Sequence, residues 1–136
     1  MTQTFFNMTN KLEAVDPMVL SLKAAVEGRL AKSTLFSFQI CISEALTNVI
    51  EHASGSSDDK IEIVLHENQN EITVDVFDLE GAVPFDLREH ATNLSTVDAM
   101  SEGGRGLGLI AEYADRVEYG PLDGRNRLSL GFDRNA

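Results

Sequence analysis

The spacing of hydrophobic positions changes several times along the chain, and each change marks an element. Residues Thr4–Met8, carrying Thr and Phe with few breakers, predict a short first strand. Asp16-Pro17 reads as an N-cap followed by proline at the first helical position. Val19, Leu22, Val26 and Leu30 then recur at helical spacing, which predicts a helix reaching Lys32. Ser33 or Thr34 can cap a second helix, whose apolar positions Phe38, Ile42, Ala45, Leu46, Val49 and Ile50 outline a broad buried face. The turn-rich stretch SGSSDD ends it. Ile61, Ile63 and Leu65, and then Ile72, Val74 and Val76, alternate with polar residues across the short polar connection HENQNE, the pattern of a β-hairpin. Leu79–Gly104 keeps no sustained period, and long loops of this kind in compact domains are functional or disordered. Leu107, Ile110, Ala111 and Ala114 resume helical spacing, and Arg116–Tyr119 switches to strand. A turn containing Asp123-Gly124 leads into a last strand with Leu128, Leu130 and Phe132. Hairpins alternating with helices, rather than strict βαβ order, predict an α+β two-layer sandwich: helices on one face of a mixed, mainly antiparallel sheet.

Composition narrows what this sandwich does. At 136 residues the chain suits one domain, 1–136, and no Pro/Gly-rich linker divides it. With 22 Asp+Glu against 11 Lys+Arg the net charge is −11, and no basic stripe offsets it, so a direct nucleic-acid role is disfavoured. Cys41, the single cysteine, sits in the apolar run Phe36–Ile42, which reads as a buried thiol in a reducing compartment. No apolar run approaches the ~20 residues of a membrane span and the N-terminus lacks a signal-peptide pattern, so a cytoplasmic protein is expected.

Three clusters carry candidate chemistry. In SEALTNVIEHA, residues Glu44, Asn48 and His52 fall within about 80° of one another on a helix, forming a polar stripe that borders the buried face. On spacing alone this is equally a solvated helix edge with a histidine near the C-terminal dipole. Asp78 shares the parity of Ile72, Val74 and Val76, so it emerges from the core-facing side of its strand. It either starts a turn or waits for an exocyclic amine or a water at a pocket base. Glu102-Gly103-Gly104-Arg105-Gly106-Leu107-Gly108 leads into a helix; such a loop either caps that helix or offers its N–H groups to phosphates. It is neither a P-loop, since Arg105 is its only basic residue and no G-K-[ST] follows, nor a dinucleotide fingerprint set directly after a strand in a βαβ unit.

Taken in order, the three clusters resemble the GHKL, or Bergerat-fold, ATPases. The resemblance implies that Glu44 orients or deprotonates the nucleophile, that Asn48 binds Mg²⁺, and that Asp78 hydrogen-bonds the adenine amine of ATP. It further implies nucleotide contacts from Gly81 and Ala82 in a first glycine box, and from Gly104, Arg105, Gly106, Leu107 and Gly108 in a second. Within the superfamily, SEALTNVIEHA, VPFD, GGRGLGLI and DRVEYGPLDGRNRLSL are similar to the anti-sigma-factor serine kinases of bacterial partner-switching systems. That likeness spans residues 4–132 and implies a kinase acting on a STAS-type anti-anti-sigma protein, binding a sigma factor, and forming a homodimer, with the unpaired edge of strand Thr4–Met8 open to a second copy. One departure stands out: Glu80 and Ala82 take the glycine places of the first box. A carboxylate there repels a triphosphate, which motivates the alternative of a nucleotide-gated binding module without kinase activity. A detached sensor-kinase domain ranks last, because no dimerisation helix with an acceptor histidine is present. Glu44, Asp78, Glu80 and Glu102 around one phosphate site make a divalent cation a requirement of the kinase reading.

Overall fold

A computed structural model describes residues 2–52, 60–77, 110, 112–122 and 125–134, apart from the side chains of 52, 121, 122, 125 and 126. Strand β1 (Thr2–Thr9) is followed by a 3₁₀ turn (Leu12–Ala14), helix α1 (Val15–Val26) and helix α2 (Lys32–His52). Strands β2 (Lys60–Glu67), β3 (Glu71–Phe77), β4 (Arg116–Leu122) and β5 (Arg125–Asp133) complete a five-stranded sheet of order β1-β2-β3-β5-β4. All four described pairings are antiparallel, and the helices pack on one face, giving the expected α+β sandwich.

Alternation decides which face of the sheet is covered. Met8, Ile61, Ile63, Leu65, Ile72, Val74, Val76, Leu128, Leu130 and Phe132 form the inner face. Val19, Leu22 and Val26 of α1 and Phe38, Ile42, Ala45, Leu46 and Val49 of α2 close over it. Phe38 meets Phe132 edge to face, with ring centroids 5.2 Å apart. This contact anchors the first half of α2 to strand β5, and the polar stripe begins at Glu44, six residues further on.

Several boundaries differ from expectation for local reasons. Helix α1 starts at Val15, so Asp16 and Pro17 lie inside its first turn, where a missing N–H costs nothing. It stops at Val26 because Gly28 takes a left-handed φ of 87°, and the turn returns Leu30 to the core without a helix. Leu35 N–H bonds to the Ala31 carbonyl at 2.8 Å, so Ser33 and Thr34 fall within the first turn of α2 and not at its cap. The β2–β3 hairpin is closed by Asn68, whose Oδ1 accepts from the N–H groups of Asn70 and Glu71, both at 2.8 Å. Strand β4 extends past Tyr119 through Gly120-Pro121, which an outer strand tolerates because among the described residues it has a partner strand on one side only. Helical backbone returns at Ile110 and at 112–113, as the spacing after the glycine-rich segment predicts.

Candidate active site on the second helix

Helix α2 presents its polar stripe where the buried face ends. Glu44 is half-buried, whereas Asn48, one turn later, is only 5% exposed and shares its surroundings with buried Ala45, Leu46 and Val49. Asn48 Nδ2 is buried with no hydrogen-bond partner among the described residues. A buried amide N–H left without an acceptor costs on the order of 1–3 kcal/mol, so a side chain whose Nδ2 has no acceptor among the described residues suits a polar ligand. Its chemistry fits a hard cation on one side, through the amide oxygen, and an acceptor on the other. Among the described residues no three His, Cys, Asp or Glu side chains converge, so any metal here would take most of its ligands from elsewhere. His52 ends α2, and its side chain lies outside the described ones.

Glu44 forms part of the wall of an open groove of about 430 Å³. Val19 of α1, Gln39, Ile40 and Ser43 of α2, and Tyr113 of the helical turn complete it. Behind the groove, Cys41 is fully buried with its thiol 4.0 Å from the Ile110 carbonyl, which ties α2 to that turn. Burial, with a smaller contribution from the Asp115 carboxylate, pushes the thiol up to about 12, so Cys41 is a packing residue and not a nucleophile. Asp78, Gly81, Ala82, Gly104, Arg105, Gly106, Leu107 and Gly108 lie outside the described residues, as do Glu80 and Glu102.

A second polar cluster, unforeseen from the sequence, occupies the outer face of the sheet. Asp75, 5% exposed, receives His66 Nε2–H at 2.9 Å and has Arg127 at 3.8 Å. His66 Nδ1 lies 3.2 Å from the Gln3 amide, an arrangement that suits the tautomer protonated at Nε2. Arg116 bonds to Glu71 across Gly131, and that hydrogen bond raises its guanidinium pKa further. The one sequence signal was an acid between Val74 and Val76 in an apolar strand. The partners come from other strands and could not be paired with it in advance.

Comparison with known proteins decides the family. A model of the histidine kinase-like ATPase domain matches residues 8–132. The chain belongs to the histidine kinase-like ATPase family. Its antiparallel sheet with helices on one face is a GHKL-type domain. Among curated relatives, the serine/threonine-protein kinase BtrW of Bordetella bronchiseptica is 26% identical over 119 residues, covering 86% of this chain and 83% of that protein. The serine-protein kinase RsbW of Bacillus pumilus is 33% identical over 89 residues, covering 59% of this chain and 54% of RsbW. Both relatives are thus named as protein kinases directed at hydroxyl side chains. Among the described residues no helix is long and apolar enough to cross a membrane.

Proposed function

We propose that this chain is an ATP- and Mg²⁺-dependent protein serine kinase and anti-sigma factor, acting on a STAS-type anti-anti-sigma protein in the cytoplasm. The observation that carries the reading is the pairing on α2 of a groove-lining carboxylate, Glu44, with a buried amide, Asn48, whose Nδ2 donor lacks a partner among the described residues. Family membership and the printed names of the two relatives support the chemistry. Residues 1–136 act as one domain in this reading.

Phosphoryl transfer asks the protein for positioning and charge neutralisation more than for covalent steps. ATP would supply the phosphoryl group, and Mg²⁺ would offset the charge on its oxygens. Asn48 would hold the metal through its amide oxygen, and Asp78 would accept the adenine amine. Gly81 and Ala82, then Gly104, Arg105, Gly106, Leu107 and Gly108, line the nucleotide with backbone N–H groups and one guanidinium. Glu44 accepts the proton of the incoming serine hydroxyl. Its half-buried setting keeps one side open to that hydroxyl while the helix fixes the other. In this reading the homodimer would use β1, an outer strand of the described sheet whose Phe5 is 72% exposed.

Incubating the purified chain with labelled ATP, Mg²⁺ and a STAS-type protein encoded near it tests the proposal. Label on a serine of the STAS protein is the expected result. A second reading, a nucleotide-gated binding module without turnover, is favoured by Glu80 and Ala82 at glycine places. Calorimetry separates the two: micromolar binding of ATP with Mg²⁺ supports the kinase, and absence of heat supports the module.

A further inference from the structure

We infer that the groove beside Glu44 seats the serine-bearing segment of the protein substrate, and that it selects an apolar residue next to that serine and rejects acidic ones. The inference rests on the kinase reading above, because it takes Glu44 as the proton acceptor. A general base must lie roughly 2.6–3.2 Å from the hydroxyl it serves, so the segment carrying that hydroxyl must run along the wall that contains Glu44.

The layout of α2 separates the two substrates. Asn48 lies one turn C-terminal to Glu44 and does not line the groove, whereas Gln39, Ile40 and Ser43 extend it in the N-terminal direction. Nucleotide and protein substrate therefore reach Glu44 from opposite ends of the same helix. The open groove, at about 430 Å³, has room for a serine and a neighbouring side chain.

Its lining sets the preference. Val19, Ile40 and the ring of Tyr113 offer apolar surface, and Tyr113 is 36% exposed, an aromatic anchor open to a partner. Further apolar surface on the two helices comes from Leu20 of α1 and from Phe36, one turn before Ile40 on α2, each 61% exposed. Among the described lining residues Glu44 is the only carboxylate, and no Lys, Arg or His accompanies it. In a chain of net charge −11, an acidic neighbour of the serine would meet repulsion that no described lining residue offsets.

The test uses the full chain and the STAS-type protein of the preceding assay as probe. Tyr113→Ala should raise the KM for the STAS protein roughly tenfold and weaken its nucleotide-free binding in calorimetry by a similar factor, leaving the KM for ATP within about twofold. Placing Asp beside the phosphorylated serine should raise the KM with the wild-type chain, and Gln39→Lys should restore it. Transfer with an unchanged protein KM in Tyr113→Ala would overturn the groove assignment while the kinase reading stands. A rise in the ATP KM alone would hand the groove to the nucleotide, and a shift from dimer to monomer in sedimentation would hand it to a second copy; either overturns the inference. Tight ATP binding by the wild type with no transfer would remove the kinase reading and the acceptor seat together.

Discussion

Glu44 and Asn48 sit one helical turn apart, and their different burial suits them to the different roles proposed for them. A carboxylate with one open side can exchange a proton, whereas a buried amide can only hold something. Glu44→Gln keeps the shape and removes the basicity. Transfer to the STAS protein should therefore fall by about 10²–10⁴-fold with ATP affinity little changed, as read by labelled phosphate and calorimetry. Cys41 gives a second prediction at this scale. Its thiol is shifted from 9.0 to about 12, so the folded state resists ionisation that the unfolded state accepts. The stability tied to this group is complete below pH 9.0 and is lost as pH rises toward 12. Cys41→Ala should flatten that alkaline limb in urea titrations, and in the native protein at pH 8 the thiol should react with alkylating reagents far more slowly than in denaturant.

Helix α2 is the element on which the site depends, and the Phe38–Phe132 contact holds it to the sheet. Phe38→Ala should cost about 3–5 kcal/mol in chemical denaturation, because it removes a fully buried ring and leaves a cavity between α2 and β5. The outer face of the sheet is more forgiving. A Cβ at Gly131 would lie 3.0 Å from the Arg116 guanidinium carbon and 3.0 Å from a Glu71 carboxylate oxygen, both ends of side chains that can move aside. Gly131→Ala should therefore cost less than about 1 kcal/mol and nothing further in an Arg116→Ala background, because an exposed ion pair is the only thing displaced. The length of α2 and its buried positions are legible in the sequence, since Phe38, Ile42, Ala45, Leu46 and Val49 repeat at helical spacing. The end of α1 is not legible in that way: Leu30 keeps the period and is buried, but the left-handed turn at Gly28 delivers it, and periodicity cannot distinguish the two routes.

At the scale of the whole molecule, the charge of −11 bears on the cofactor. If acidic residues gather at the phosphates as the motif order implies, chelating Mg²⁺ with EDTA should weaken ATP binding by tenfold or more, and readding Mg²⁺ should restore it. The sequence by itself determined the succession of strands and helices, the face that each buries, and the ordered motifs that resemble the family to which the chain belongs. These are local properties: period, turn chemistry and short motifs act over a few residues. The tertiary structure alone decided what those elements bring together. Val19, Gln39, Ser43, Glu44 and Tyr113 become one groove only when α1, α2 and the later helical turn pack side by side. His66, Asp75 and Arg127 become neighbours only through the β2–β3 and β3–β5 registers. Adjacency between distant residues is set by packing and strand pairing, so a linear pattern carries the parts of this site and the fold supplies their arrangement.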